Sequence, residues 1–381
     1  MKLFYRVGFN VSTSCEGNRL FAGMRRCIWG FNCLLWGTMV WAQPPSHSVD
    51  MSVRESNRLY LEAKTLLASK KWEEAVLLLK DLQEGLPKDI GVTTDLSTAL
   101  TFLKRRESAL HFLIQAVNLC RDKKRCETDK KVLKKKIQVL SRAFLTNATF
   151  QIYQEGLNFF HQAKYKLARD RFEKALAQEA DNVEILVRLG QSYLFEDQFG
   201  LSVEFLTRAA KLDPFEPRIR LWLGRAYQRK ELSENSVKKK SGDESSRALD
   251  ELEFAWENLP GSEIAPLWLA EYWGSLGQVS EALTVLNGDI KKWPLHIRSL
   301  VASARLRVQF PHPDLSQLWA ARKELQLAES RLNAYLKRPS LLPSLEDSIG
   351  FYEAPAEKTL AEEIAQLMQL VQAKLDALNP G

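Results

Sequence analysis

The stretch that decides the fold is VEILVRLGQSYLFEDQFGLSVEFLTRAAKLDP, residues 183–214. Within it, Gly190 is followed three residues later by the large aromatic Tyr193. The same pair recurs 34 residues earlier, as Gly156 with Phe159, and 34 residues later, as Gly224 with Tyr227. A unit of this length with a small residue at its eighth position and an aromatic at its eleventh is typical of a helix–turn–helix repeat. The sequence therefore predicts an all-α solenoid.

Further positions of the unit follow the same frame when units begin at Thr149, Val183, Pro217 and Glu263. Position 20 holds Ala168, Ser202, Ala248 and Ala282; position 27 holds Ala175, Ala209, Ala255 and Asp289; position 32 holds Ala180, Pro214, Pro260 and Pro294. Small residues let two antiparallel helices approach closely. Proline ends a helix because it lacks an N–H and clashes with the preceding turn. Each unit is therefore predicted to be two helices followed by a stop.

On these residues the chain resembles the tetratricopeptide repeat family, whose pattern is a tryptophan or leucine, Leu-Gly, tyrosine, alanine, an aromatic or leucine, alanine and proline. Residues 183–214 are the best copy of this pattern. The third unit fits only with 12 extra residues between Tyr227 and Ala248, so we expect a hydrophilic loop at about residues 231–246. The resemblance implies a right-handed solenoid, with repeats over residues 149–310.

Three other segments extend the predicted solenoid. Residues 56–123 keep the alternation of small and large residues but lack the glycine and the aromatic, so they are either two divergent repeats or a generic helical hairpin. Residues 124–148 carry apolar residues on one helical face and lysines on the other, which predicts a connecting helix. Residues 311–381 contain two helical patterns, expected to form a C-terminal cap because a solenoid must close its last hydrophobic face.

The N-terminus has the pattern of a secretory signal. Arg25 and Arg26 precede an apolar run of 16 residues, Cys27 to Ala42, which ends on a small residue. We expect cleavage after Ala42, with residues 43–55 as a linker and with translation starting at Met1 or at Met24. A retained membrane anchor stays open as an alternative, although 16 residues fall short of the roughly 20 that a spanning helix needs.

The charge of the chain argues against a nucleic-acid partner. Residues 1–42 contain five basic residues and one acidic residue, so their removal lowers the formal charge from +7 to +3. One local excess remains, in residues 121–142, with ten Lys or Arg against three acidic residues. This segment is either a solvated helix face or a patch for anionic lipid, polysaccharide or an acidic protein.

Two cysteines remain beyond the predicted leader, Cys120 and Cys126. A turn between two helices would bring their Cα atoms within the distance of about 4.4–6.8 Å that a disulfide requires. An exported chain favours this pairing; two unpaired thiols are the alternative.

Catalytic and cofactor motifs do not occur in the sequence. The five histidines show no i, i+4 pair, and there is no HExxH, CxxC or glycine-rich phosphate loop. We therefore expect a protein that is not an enzyme and that needs neither a cofactor nor a metal.

The resemblance also implies where a partner binds. In tetratricopeptide arrays the first helices line a concave groove, with positions 2, 5, 9, 12 and 13 of each unit pointing inward. These positions hold Tyr153, Phe160 and His161, then Val187, Gln191 and Phe195, then Arg218, Leu221, Arg225, Gln228 and Arg229, with Arg188 at the rim. Arginine pairs with carboxylates in two-point contacts, so the expected partner is a peptide or helix with apolar anchors and acidic groups. The lysine–asparagine clamp of chaperone-binding members is absent, because Val187 and Gln191 occupy those places.

The sequence thus predicts an exported, non-enzymatic protein–protein interaction scaffold of a bacterial cell envelope or periplasm. Its membrane contact would be limited to an uncleaved N-terminal segment. The alternatives are a membrane-tethered adaptor and a protein that binds polyanions or lipid through residues 121–142.

Overall fold

The computed structural model describes residues 53–120, 126–233, 246–294, 296–309, 313–337 and 357–378, which all lie in one compact unit, residues 49–381. The predicted leader and most of the linker lie outside the described residues. The described residues form helices and no strand. The helices are α1 (Val53–Ala68), α2 (Trp72–Gly85), α3 (Ile90–Phe102), α4 (Arg106–Leu119), α5 (Glu127–Arg142), α6 (Asn147–His161), α7 (Tyr165–Gln178), α8 (Val183–Phe195), α9 (Phe199–Leu212), α10 (Pro217–Ser233), α11 (Arg247–Asn258), α12 (Ile264–Ser275), α13 (Val279–Lys292), α14 (Ile297–Gln309), α15 (Leu315–Lys337) and α16 (Glu357–Leu378).

Among the described residues, six hairpins of two helices each make up most of the fold. Two of them, α1/α2 and α3/α4, form what we call the N-terminal pair, and the four hairpins from α6/α7 to α12/α13 form the main array. Each hairpin of the main array packs on the next, since its second helix contacts the following first helix. The predicted all-α solenoid of helical repeats is confirmed.

The turn inside five of the hairpins has one conformation. Its central residue has a positive φ and occupies the fifteenth position of each unit: Lys70 at 59°, Lys104 at 58°, Ala163 at 55°, Asp197 at 57° and Gly277 at 76°. The next backbone N–H donates to a carbonyl five residues back, as from Gln198 to Tyr193 at 2.9 Å, which closes the first helix. The N-terminal pair therefore has the hairpin turn of the main array.

The glycines of the signature mark the places where two helices touch. A Cβ added to Gly156 would lie 2.6 Å from the Phe172 ring, and one added to Gly190 would lie 2.6 Å from Leu206 Cγ. Gly224 meets a leucine of α11 in the same way. The small residues of the second helices are fully buried on the other side of these contacts: Ala168, Ala175, Ser202, Ala209, Ala248, Ala255 and Ala282.

The second helices end two residues before position 32. Helices α9, α11 and α13 stop before Pro214, Pro260 and Pro294, and the residue ahead of each proline leaves the helical region, as at Asp213 with φ −136° and ψ 76°. Glu179 adopts the same angles, −137° and 76°, before Ala180. Proline therefore favours this break, but the repeat forms it without proline as well.

The aromatic positions differ from the prediction in the first repeat. Phe160 was predicted to point into the groove, yet it is fully buried, whereas the signature aromatic Phe159 is half-buried. Phe160 packs edge-on against Tyr165 and Phe195, which belong to the second helix of its own hairpin and to the next repeat. Tyr193, by contrast, is buried as its position predicts.

The long hairpin α10/α11 is tied at the base of its insert. Helix α10 continues to Ser233, and residues 234–245 lie outside the described residues. Ser246 Oγ donates to Glu231 Oε2 at 2.8 Å, and Tyr272 Oη of the next repeat donates to the same oxygen at 2.6 Å. The insert therefore leaves and re-enters the fold at a fixed point.

Helix α5 joins the N-terminal pair to the main array. It packs on α4 through Leu133 and Ile137 and also contacts α8. At its start, the structure contains a disulfide between Cys120 and Cys126, with Cα atoms 5.5 Å apart.

Two arginines complete this connection, which we call the arginine joint. Arg106, fully buried at the start of α4, donates to Glu179 and Asp181 at 3.1 Å each and also to the carbonyl of Ala143. Arg142, at the end of α5, lies 2.6 Å from Glu216 Oε2. Glu179, Asp181 and Glu216 come from the loops that separate repeats of the main array. Charge pairs across these loops therefore hold the N-terminal pair in place.

The C-terminal helices close the last open face. Helices α14, α15 and α16 share one core with buried residues that include Leu300, Leu325 and Val371. Lys374 of α16 donates to the carbonyl of Val308 at 2.8 Å. The predicted cap is confirmed. None of the described helices combines the length and the apolar character that crossing a membrane requires.

Candidate functional site

The inner face of the main array is built by the first helices of the hairpins. Helices α8, α10, α12 and α14 contact one another in sequence across the layers, in addition to their hairpin partners. Such direct contact brings the first helices closer together than the second helices. The first helices therefore form the concave side, and we call the exposed surface of α6, α8, α10 and α12 the inner face.

The residues predicted to line this face divide by burial. His161 and Arg218 are exposed, and Arg188 and Arg229 are half-buried. The remaining three site residues, Tyr153, Gln191 and Arg225, are at most 8% exposed, so the prediction that they line an open groove is wrong. The reason is that each first helix has neighbours on both sides, which leaves a stripe narrower than five positions per repeat.

Arg188 is fixed by two neighbours. Its Nη1 donates to Gln191 Oε1 at 3.1 Å, and its guanidinium lies 5.6 Å from the centre of the Phe160 ring. Burial raises the pKa of Tyr153 to about 12, against the opposing effect of the nearby guanidinium. Burial, followed by Arg188, lowers the pKa of His161. At neutral pH this part of the inner face therefore has one held cation, a neutral phenol and a neutral imidazole.

Arg225 is not available to a partner in the way that the sequence suggested. Its Nη1 donates to Gln228 Oε1 and to Glu271 Oε2, both at 2.8 Å, and its guanidinium lies over the Trp268 ring at 5.1 Å. Glu271, on α12, is half-exposed and neutralises the arginine. The basic end of the groove is therefore weaker than predicted.

A signal for this pair was present in the sequence. Arg225 and Glu271 both occupy position 9, in consecutive units that begin at Pro217 and Glu263. The same position in consecutive repeats lies side by side on the inner face, so opposite charges there are expected to pair. The 12-residue insert hid this correspondence.

The two remaining arginines keep more of their charge available. Arg229 lies 3.8 Å from Asp197 and stacks over Phe199, but both charged groups are well exposed, so the pair contributes little. Arg218 is exposed near the start of α10, where its backbone N–H donates to Glu216. Together with Arg188, they leave a moderately basic strip along α8 and α10.

A row of aromatic rings runs through the first helices beside this strip. Phe195 lies 6.1 Å from Trp222, and Trp222 lies 5.1 Å from Trp268, so aromatic rings of three successive first helices follow one another. Phe195 is half-buried, whereas Trp222 and Trp268 are buried in the core. The arrangement can hold an apolar side chain near Phe195 and a carboxylate near the arginines. It brings together no catalytic set, and the described residues contain no group of three or more His, Cys, Asp or Glu that could hold a metal ion.

A separate cleft lies on the outer side of the array, between α11, the turn after it and the end of α13. It has a volume of about 140 Å³, and its walls include Trp256 and Trp293. A Cβ on Gly261 would come within 3.7 Å of the Trp293 ring. Nothing in the sequence pattern singled out this cleft.

The fold defines a helical-repeat protein with a concave inner face. Residues 183–216 match the family profile of the tetratricopeptide repeat. This match covers the α8/α9 hairpin, whose turn geometry recurs in four other hairpins. The chain therefore contains a tetratricopeptide repeat at residues 183–216, and its described residues form an all-α helical-repeat solenoid.

Several solved structures resemble parts of the chain. The structure of MamA has 19% sequence identity and a TM-score of 0.38, over 48% of this chain and 96% of that one. YrrB, described as a TPR protein with an unusual peptide-binding site, has 20% identity and a TM-score of 0.33, over 59% and 96%. A tetratricopeptide repeat protein from Parabacteroides merdae has 11% identity and a TM-score of 0.39, over 83% and 98%. No curated protein sequence matches the chain. At such scores, nothing about partners follows for this chain.

Proposed function

We propose that the chain is a non-enzymatic scaffold that binds a peptide or a helix of another protein along the inner face. The partner offers an apolar side chain to the surface around Phe195 and carboxylates to the strip of Arg188, Arg218 and Arg229. The protein works in a bacterial cell envelope, after export through the N-terminal signal and cleavage behind Ala42.

The observation that carries this proposal is the support of Arg188. Because Gln191 and the Phe160 ring hold its guanidinium, binding a carboxylate costs less side-chain entropy than it would for a free arginine. A guanidinium in a fixed orientation also favours two-point contact with a carboxylate. Arg225 has no part in the proposed contact, since Glu271 already neutralises it.

The test compares two charge reversals of equal size. One variant carries Arg218→Glu and Arg229→Glu on the inner face; the matched control carries Lys166→Glu and Lys174→Glu on α7, a second helix, at exposed positions. Peptides are selected against the purified wild-type chain from a displayed random library. Their affinities for all three proteins are then measured by fluorescence anisotropy.

We expect the inner-face variant to bind the selected acidic peptides at least about tenfold more weakly, because each reversal replaces attraction by repulsion. The control variant should bind them as the wild type does. Equal affinity of the wild type and the inner-face variant would show that peptides bind elsewhere.

Export is tested by the intact mass of protein recovered from a bacterial envelope fraction. Cleavage behind Ala42 gives a chain that begins at Gln43. A chain that keeps residues 27–42 and sediments with membranes would replace the proposed soluble scaffold by a tethered adaptor.

A further inference from the structure

Helix α5 carries several exposed lysines on its solvent side. Lys131, Lys135 and Lys136 are all exposed, and none of them lies within ion-pair distance of a carboxylate among the described residues. This differs from Arg142 on the same helix, which is close to Glu184 and Glu216. The positive charge of the three lysines is therefore available to an external anion.

Two apolar residues lie among these lysines on the solvent side of α5. Val132 is 51% exposed and Val139 is 61% exposed. A spacing of seven residues places them on one side of the helix, about 10 Å apart. Leu133 and Ile137 are buried on the opposite face, so the valines are not needed for the core. We call Lys131, Val132, Lys135, Lys136 and Val139 the α5 surface.

The α5 surface is formed before any partner arrives. The disulfide between Cys120 and Cys126 fixes the start of the helix, and the contacts of Arg142 with Glu216 and Glu184 fix its end. A helix held at both ends has no folding entropy to lose when it binds, in contrast to segments that become helical only on a surface.

We propose that the α5 surface docks the protein on a bilayer that contains anionic phospholipids. The three lysines contact the lipid phosphates, and each lysine near an anionic bilayer contributes about a fivefold change in affinity. The two valines enter the boundary between headgroups and acyl chains, as the apolar residues of interfacial helices do. A soluble polyanion would use the lysines but would gain nothing from exposed valines, so the valines decide in favour of lipid.

This docking is independent of peptide binding on the inner face. It requires no uncleaved leader, since all of its residues lie on α5. The two functions can therefore be separated by substitutions on different helices.

The test uses the purified full chain and two kinds of vesicle, phosphatidylcholine alone and phosphatidylcholine with a minor share of phosphatidylglycerol. Binding is measured by flotation. The charge variant carries Lys131→Glu, Lys135→Glu and Lys136→Glu; the apolar variant carries Val132→Ser and Val139→Ser. The matched control, Lys166→Glu with Lys174→Glu and Lys211→Glu, reverses three exposed lysines on α7 and α9. Circular dichroism checks that every variant is folded.

We expect binding only to the vesicles with phosphatidylglycerol. The charge variant should lose binding by on the order of 100-fold, and the apolar variant by about tenfold, whereas the control should bind as the wild type does. Heparin serves as the soluble polyanion, and the apolar variant should bind it as the wild type does. Equal loss of heparin and vesicle binding in the charge variant, with no effect of the valines on vesicles, would overturn the lipid proposal in favour of a polyanion patch.

A direct probe of α5 covers the case in which another segment also holds the chain on vesicles. A polarity-sensitive fluorophore is attached at Val139→Cys in a chain whose Cys15, Cys27 and Cys33 are replaced by serine. Emission should shift to the blue on vesicles with phosphatidylglycerol. An unchanged spectrum on vesicle-bound protein would show that α5 stays in water, and the proposal would be wrong.

Discussion

The N-terminal pair and the main array form the same hairpin with different residues. In the main array, Gly156 and Gly190 allow a second-helix side chain to approach within a distance that no Cβ tolerates. In the N-terminal pair, the equivalent eighth positions hold Ala63 and Ser97, which are buried, and Ser97 Oγ donates to the carbonyl of Ala109 at 2.8 Å. The repeat therefore requires a small residue at this position, and alanine or serine can take the place of glycine there.

Two buried acidic residues at the same repeat position face the two arginines of the joint, but they differ in how well they are hydrogen-bonded. Glu179 and Asp213 both occupy position 31, both are buried, and both lie in the arginine joint. Glu179 accepts hydrogen bonds from Arg106, Asn182 and the backbone N–H of Leu145. Asp213 Oδ2 has no hydrogen-bond donor, and Arg142 is 3.6 Å away. At this repeat position, Glu179, which faces α4, therefore has several hydrogen-bond donors, whereas Asp213, which faces α5, has one oxygen without a donor.

The largest effect is expected from breaking the joint at Arg106. Arg106→Ala leaves Glu179 buried without its cation, which typically costs about 3–5 kcal/mol. The matched control is Arg105→Ala, next to it, whose partner Glu73 is exposed and whose loss should cost less than about 1 kcal/mol. Both are measured by urea denaturation.

A separate, earlier transition in Arg106→Ala would show that the N-terminal pair unfolds independently once the joint is broken. Equal free energies of unfolding for Arg105→Ala and Arg106→Ala would contradict the assignment of the joint.

The second prediction compares how the contributions of Asp213 and Glu179 to folding stability change with pH. Burial raises the pKa of Asp213 from 3.8 to about 6, so the folded state binds more protons than the unfolded state and loses stability as pH rises through this window. This rise in pKa corresponds to a change in the free energy of unfolding of about 3 kcal/mol at most. Asp213→Asn should therefore gain stability relative to the wild type between about pH 4 and pH 6.

Glu179 should show the opposite sign. Burial alone would raise the pKa of its carboxyl group, but the hydrogen bonds from Asn182, Leu145 and Arg106 outweigh burial and lower it. The ionised form is thus favoured in the folded state, and this stability is lost as pH falls through the folded pKa. Glu179→Gln should lose stability relative to the wild type as pH rises. Parallel pH profiles of the two variants, in thermal melts, would show that position 31 behaves alike in both repeats.

The third prediction distinguishes the effect of a close contact between helices from the general effect of replacing a helical glycine by alanine. Gly190→Ala places a Cβ 2.6 Å from Leu206 Cγ, and the resulting overpacking should exceed the gain in helix propensity, for a net loss of about 1–2 kcal/mol. Gly200→Ala on α9 meets no atom within 4 Å and should stabilise by up to about 1 kcal/mol. If thermal melts show both alanines to be stabilising, the helices are not held together at Gly190.

The smallest effects should come from substitutions at the turn residues with positive φ. The gains in stability should be equal in the N-terminal pair and in the main array. Lys70→Gly in the N-terminal pair and Ala163→Gly in the main array each relieve a positive φ, for a net gain of about 0.5 kcal/mol. Gly277→Ala should cost a similar amount, because a Cβ there meets no other atom and only the backbone is strained. A gain in one region alone, in chemical denaturation, would mean that the turns differ.

The inner face shows why a helix position is easier to predict than its exposure. The frame placed His161, Arg188, Arg218 and Arg229 at or near the surface, where the structure has them. It failed for Arg225, because one repeat frame does not show which side chains the neighbouring repeats cover.

The sequence by itself determined the repeat, because its period, its small positions and its helix stops depend on residues within one hairpin. The tertiary structure alone decided which charges remain available. Arg225 pairs with a residue 46 positions away, and Arg106 reaches one 75 positions away. Such pairs depend on how the repeats stack and on where α5 directs the chain, and no local spacing encodes either. Lys131, Lys135 and Lys136 of α5 are available for the converse reason, since none of them forms an ion pair with a carboxylate of the described fold.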